Sequence, residues 1–197
     1  MRKGAIKQGV CGLLLALPLC GLAETGNPDL IAGYTSQDLA SVLPAKVFTM
    51  VKRDVAVDAQ NHSVQTEYMD SAANNKALVT LYTLPPSKEG KIPIASSDSD
   101  LELVITSTEK EMLRQRIRPD KRDIQVDGAT KFRCLQSVLN NKVMHSLCSM
   151  LVKGRVLEIQ AINTLDPTSG TDALQKITDQ QNAMMVEIGK ALLALKK

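Results

Sequence analysis

The chain has 197 residues, of which 44% are hydrophobic and 23% are charged. This composition is typical of a folded globular protein, and it excludes a collagen-like, low-complexity or disordered chain and a protein with several membrane spans. Lysine and arginine outnumber aspartate and glutamate by 24 to 21.

The first 23 residues have the pattern of a secretory signal peptide. Residues 10–22 are largely apolar, and Gly21 and Ala23 are small residues at the −3 and −1 positions of a cut before Glu24. The apolar stretch is shorter than the roughly 20 residues that a membrane-spanning helix needs. Three cations precede it: Arg2, Lys3 and Lys7. The sequence therefore predicts a periplasmic or secreted protein, with residues 24–197 as a single domain.

A lipoprotein cut before Cys20 is the alternative to plain secretion. Lipoprotein processing favours a small residue before the cysteine, and this chain has Leu19 there. Either cut removes three cations and no acid, which leaves 21 cations against 21 acids. A neutral domain gives no general attraction to nucleic acid, so no nucleic-acid partner is expected. With three tyrosines, two phenylalanines and no tryptophan, sites built on several stacked rings are disfavoured.

Hydrophobic periodicity and turn signals predict the elements after the leader. Pro85 and Pro86 end the first run of strands, and residues 87–97, which contain Gly90 and Pro93, are expected to form an exposed loop. A capping-box pattern from Ser99 to Glu102 predicts the start of the helix that follows, which Pro119 ends. In chain order we expect a short helix at 36–43, strands at 46–53, 63–69 and 76–84, a helix from 99 to 118, strands at 123–127, 129–139, 143–152 and 155–163, and a long helix at 172–195.

Short connections between successive strands predict antiparallel neighbours, and strands in runs with separate helices indicate an α+β fold. We expect one antiparallel sheet of about six to seven strands with two main helices packed on it. Over residues 46–195 this order of elements resembles the PsbP-like fold of photosystem II extrinsic proteins and bacterial DcrB-type envelope proteins. The resemblance rests on element order alone. It implies an α/β/α sandwich and a non-enzymatic accessory or binding role, and it assigns no functional residue.

Two cysteines, Cys134 and Cys148, remain after the leader, and we expect them to form a disulfide. If Leu139 faces Val143 across a hairpin with residues 140–142 as its loop, Cys134 lies directly opposite Cys148. Directly opposed Cβ atoms are close enough for a disulfide after slight adjustment. Closing this loop would stabilise the fold by about 3 kcal/mol. A redox role would favour a CxxC motif or an isolated activated thiol, and the sequence contains neither.

The sequence contains little that predicts catalysis, a cofactor or a metal. The same register pairs Ser137 with His145, which suggests a hydrolase as a minor alternative, but there is no nucleophile-elbow motif. His62 is expected in a polar turn. No zinc motif is present. An alternating acidic run could offer oxygen ligands to calcium, but it lacks the central glycine and the twelfth-position glutamate of an EF-hand loop, and the preference for acids at a helix N-terminus explains it without a metal. That run consists of Asp98, Asp100 and Glu102.

The one local excess of charge surrounds the end of the predicted helix and the turn after it, at residues 114–122, where Arg114 and Arg118 are four apart and would share a helix face. Cations are favourable at a helix C-terminus and in a solvated turn. The same side chains suit contact with an acidic protein partner or with a phosphate-bearing component of the envelope. These five residues are Arg114, Arg116, Arg118, Lys121 and Arg122. We expect a non-enzymatic binding or accessory protein of the bacterial cell envelope, with an immunity protein that neutralises an exported antibacterial toxin as a specific version.

Overall fold

The computed structural model describes residues 29–84, 95–166, 168 and 170–197, so the predicted signal peptide and most of the predicted loop at 87–97 lie outside the described residues. The described residues form eight strands and three helices. In chain order these are α1 (Ser36–Ser41), β1 (Lys46–Val47), β2 (Met50–Asp58), β3 (Ser63–Asp70), β4 (Asn75–Tyr82), α2 (Asp98–Arg114), β5 (Asp120–Asp127), β6 (Thr130–Leu139), β7 (Val143–Val152), β8 (Arg155–Thr164) and α3 (Thr171–Ala194).

All eight strands belong to one antiparallel sheet in the order β1-β2-β3-β4-β8-β7-β6-β5. The α+β class is confirmed, but the expected strand count of six to seven was too low. The predicted strand at 46–53 is two strands, because Val47 pairs with Met50 across a turn at Phe48 and Thr49. Phe48 has a φ of +53°, a conformation that an aromatic residue seldom adopts, so composition did not indicate the turn.

Helices cover both faces of the sheet. Neighbouring strand residues point to opposite faces: Cys134 packs in the core under α1 and α3, whereas Leu135 packs under α2. Each fully buried aliphatic side chain in these cores stabilises the fold by roughly 1.5–3 kcal/mol. The main helix residues in the larger core are Leu39, Met184, Met185, Ile188 and Leu192, and those in the smaller core are Leu101, Ile105 and Met112.

The helix after the loop begins two residues earlier than the predicted Ser99–Glu102 capping box. Ser97 caps α2: its Oγ accepts from the Asp100 backbone N–H at 3.3 Å, and the Asp100 carboxylate accepts from the Ser97 backbone N–H at 2.7 Å. Ser97 and Asp100 have the same spacing as Ser99 and Glu102, so the capping-box pattern alone did not distinguish the two possible helix starts. The helix also ends at Arg114, well before Pro119.

The cysteine hairpin has the predicted register. Leu139 pairs with Val143, and Cys134 pairs with Cys148, with a disulfide between them (S–S 2.10 Å, Cα–Cα 4.0 Å). In the connecting turn Asn140 has a φ of +51°, which asparagine tolerates better than most residues. The disulfide is therefore confirmed, and it lies in the buried core beneath α3.

Candidate functional site

The C-terminal end of α2 is built by a backbone motif that favours glycine. The Ile117 N–H donates to the Met112 carbonyl at 2.9 Å, and the Arg116 N–H donates to the Leu113 carbonyl at 3.0 Å. These are the two hydrogen bonds of a Schellman motif, and Ile117 also packs in the same core as Met112, as the motif favours. Arg116 occupies the left-handed position with a φ of +63°. The motif explains why the helix ends before Pro119.

Four of the five predicted contact cations are exposed around this helix end, and we call them the basic patch: Arg114, Arg116, Arg118 and Lys121. Leu113, which is 50% exposed, is the apolar residue of the same helix end. Because the helix stops at Arg114, Arg114 and Arg118 do not share a helix face as their spacing suggested. They lie on either side of the turn at Arg116.

Two members of the basic patch have acidic partners. Arg114 Nη1 lies 2.8 Å from Glu111 Oε2, and Lys121 Nζ lies 2.6 Å from Glu109 Oε2. The other two cations form no ion pair with any residue that the structure describes. Ion pairs between exposed side chains contribute only about 0–1 kcal/mol, so the patch remains available to a partner.

The fifth predicted cation, Arg122, is not part of the basic patch. It follows Lys121 on β5, so its side chain points to the opposite face of the sheet, where Nη1 donates to Asn182 Oδ1 of α3 at 2.7 Å. Burial lowers the pKa of Arg122, and the nearby Asp179 carboxylate opposes that effect. Arg122 Nε and Nη2 are buried without a hydrogen-bond partner in the described part of the chain. This residue belongs to the packing between β5 and α3.

The Ser137–His145 pair lies in the predicted register, but not on an open face. Ser137 is buried and its Oγ has no hydrogen-bond partner among the described residues. Burial lowers the pKa of His145, and no charged group contributes to that shift. The two side chains are therefore neighbours across β6 and β7. Among the residues that the structure describes, there is neither a hydrogen bond between them nor a carboxylate that orients the imidazole as a triad requires.

The acidic run at the start of α2 has structural partners. The pKa of Asp100 is lowered chiefly by the hydrogen bond from the Ser97 backbone, and that of Glu102 chiefly by its hydrogen bond from Arg133. Asp98 is the first residue of the helix, where an acid interacts favourably with the helix dipole. Across residues 29–84, 95–166 and 170–197 there is no cluster of three metal-ligating side chains.

A buried polar cluster joins residues that are far apart in the sequence. The Arg155 guanidinium is fully buried and donates to the carbonyls of Asp29, Tyr34 and His62, at 3.0, 3.1 and 3.2 Å, and to the Asp29 carboxylate at 3.1 Å. His62, predicted in a polar turn, is in a turn but is buried, with Nδ1 3.4 Å from Asp29 Oδ1. The cluster fixes the N-terminal segment to the sheet, which is a structural role.

A cavity of about 220 Å³ lies between the β1–β2 turn and the middle of α3. Phe48, which is 56% exposed, is at its rim. Gln181 and Asn163 line its wall. No local sequence pattern predicts this cavity, because the turn, the end of β8 and α3 are distant along the chain.

A comparison of the chain with protein-family models, curated proteins and solved structures gives no match. Within the described residues, no helix is long and apolar enough to cross a membrane.

Proposed function

We propose that this protein is a non-enzymatic binding or accessory protein of the bacterial cell envelope, and that the basic patch contacts an acidic protein partner. The observation on which the proposal rests is the conformation of Arg116. Its φ of +63° places an arginine at the left-handed position of a Schellman motif. Glycine is the usual residue there.

A left-handed backbone costs a residue with a Cβ about 1–2 kcal/mol. Strained backbone of this kind is concentrated at functional sites, where it is retained for what the side chain does. Arg116 is exposed, as Arg114 and Arg118 are, so the strained position carries a third exposed arginine at this helix end. An arginine at a position that glycine would occupy without strain supports a binding role.

The surroundings of Arg116 suit protein contact. Leu113 supplies exposed apolar area, and the four cations of the basic patch supply charge around it. Interfaces commonly combine an apolar centre with a polar rim, and arginine is enriched in them. An acidic partner surface would associate faster, and in a defined orientation, because of this arrangement of cations.

An exported location fits this proposal. The Cys134–Cys148 disulfide is typical of oxidising compartments such as the periplasm or the extracellular space. The predicted leader would direct the chain there. We therefore propose that the protein is periplasmic or secreted.

The test is affinity capture from a native envelope extract with the oxidised chain and a variant carrying Arg114→Gln, Arg116→Gln and Arg118→Gln. A control variant carries Lys46→Gln, Arg53→Gln and Lys76→Gln, which removes the same charge from exposed positions elsewhere. We expect one protein to be recovered stoichiometrically by the wild type and the control and lost by the patch variant. A toxin as that protein would make this chain an immunity protein. Equal recovery by all three chains would contradict the proposal.

A further inference from the structure

The cavity between the β1–β2 turn and α3 is lined by both apolar and amide side chains. Phe48, Met50 and Met184 give it apolar surface, whereas Gln181 and Asn163 are amides on its wall. Lys76 also borders the cavity, but strand alternation directs its side chain to the opposite face from Ala77, which packs in the core under α3. The side chains that line the cavity are therefore uncharged.

The amides on the cavity wall are held in a fixed direction by a buried chain of hydrogen bonds. Ser146 Oγ donates to Gln181 Oε1 at 2.6 Å, and Gln181 Nε2 donates to Asn163 Oδ1 at 2.6 Å. All three residues are buried. Because the Asn163 oxygen is occupied, its NH₂ group remains as a donor, and that group has no partner among the residues that the structure describes.

Phe48 occupies a position that its residue type does not explain. The residue is 56% exposed, and its φ of +53° lies in the region that bulky residues avoid. Two-residue hairpin turns favour glycine or asparagine at such positions. An exposed aromatic ring held there at a conformational cost suggests that the ring contacts a ligand.

A second, wider groove of about 560 Å³ adjoins the first cavity, and Phe48 and Gln180 line both. Most of its surface is apolar, and polar side chains border it: Gln175 Nε2 donates to Asp179 Oδ1 at 2.9 Å, and Lys176 also lines the groove. Because the two spaces share Phe48 and Gln180, they adjoin as one site with an amide end, an aromatic ring and a largely apolar groove bordered by polar side chains.

We propose that this site binds an N-acetylated oligosaccharide. The smaller cavity accommodates an acetamido group, whose carbonyl accepts from Asn163 and whose methyl group contacts Met50 and Met184. The apolar face of the sugar ring lies against Phe48, and the hydroxyl groups of the next sugar reach Gln175 and Asp179. The sugar site is separate from the basic patch, which lies at the end of α2, the helix on the opposite face of the sheet.

The test is titration of the oxidised chain with di-N-acetylchitobiose, followed by calorimetry and by amide chemical shifts. Cellobiose is the matched control sugar, since it has the same ring linkage with hydroxyl in place of acetamido. We expect saturable binding of di-N-acetylchitobiose, with shifts at Phe48, Asn163 and Gln181, and affinity for cellobiose at least about tenfold weaker.

Substitutions test whether the sugar binds at this site. Phe48→Ala at this exposed position should weaken the affinity at least about tenfold, whereas Phe48→Tyr keeps a ring and should retain it within about threefold. Leu103→Ala, at an apolar residue on α2 that is 59% exposed, is the control and should leave binding unchanged. Absence of saturable binding, equal binding of cellobiose, or unchanged affinity in Phe48→Ala would each overturn the proposal.

Discussion

The guanidinium of Arg155 lies 3.1 Å from the carboxylate of Asp29, which is 126 positions earlier in the chain, and both side chains are almost fully buried. Asp29 also accepts from the backbone N–H of Ser36 at 2.6 Å and from its hydroxyl at 2.7 Å. This network attaches the residues before α1 to the first residue of β8. A buried charge with several partners stabilises a structure only while every partner is present.

We expect Arg155→Met to destabilise the protein by about 3–5 kcal/mol, because it leaves the buried Asp29 carboxylate without its guanidinium partner. Chemical denaturation measures the loss. Arg133→Met is the control: Arg133 pairs with Glu102, but both side chains are substantially exposed, so its loss should cost at most about 1 kcal/mol. Similar free energies of unfolding for the two variants would refute a special role for the buried network.

Gly154 is in the turn between β7 and β8, and its φ is +77°. A Cβ there would lie 2.9 Å from Ala32 Cβ and 2.9 Å from Ile31 Cγ2. We expect Gly154→Ala to cost about 2–3 kcal/mol, from backbone strain together with overpacking.

Gly128 is the matched control for this substitution. Its φ is +49°, but a Cβ there meets nothing within 4 Å, so Gly128→Ala should cost only the strain, about 1 kcal/mol. Thermal or urea unfolding compares the two. Equal losses would mean that the N-terminal segment does not pack against the turn in solution.

Stability should depend on the protonation of His145. Burial lowers its pKa below the ordinary value of 6.5, so the unfolded chain binds the proton more readily than the folded one. The folded state therefore loses stability as the pH falls below about 6.5 toward the folded-state pKa. In His145→Gln this contribution disappears, and the decline in unfolding free energy between about pH 7.5 and pH 5.5 should be smaller. Urea titrations at a series of pH values test this, and identical declines would exclude it.

Arg116→Gly separates stability from binding. Glycine removes the left-handed backbone strain, and the greater freedom of the unfolded chain offsets part of that gain. We therefore expect the free energy of unfolding to rise by about 0.5–1 kcal/mol. The same variant loses a guanidinium from the basic patch, so capture of the envelope partner should fall. Denaturation and capture are measured on the same preparation. A variant that is less stable, or one that captures the partner as well as wild type, would contradict the proposed role.

Local patterns in the sequence were sufficient to predict most of the sheet. The Asn140–Asn141 turn set the register that placed Cys134 opposite Cys148, because pairing in a hairpin follows from its loop. The long stripe through Met184, Ile188 and Leu192 predicted α3 for a similar reason, since its period matches the helix.

Features that depend on an unusual backbone or on distant residues were not predictable in this way. Neither Phe48 nor Arg116 belongs to a residue type that indicates a left-handed turn, so the extra strand and the early end of α2 were missed. In the sequence, Arg155 directly follows a turn, where an arginine is ordinarily expected to be exposed. Its burial depends on Asp29, and no local pattern connects the two residues.

The most direct test of the proposed binding surface is photocrosslinking in living cells, with a photoreactive amino acid in place of Leu113. The same substitution at Leu103, a similarly exposed position in the first half of α2, is the control. We predict one specific adduct from position 113 and none from position 103, and loss of that adduct when Arg114, Arg116 and Arg118 are changed to glutamine. Equal crosslinking from both positions, or an adduct that persists without the three arginines, would contradict the account.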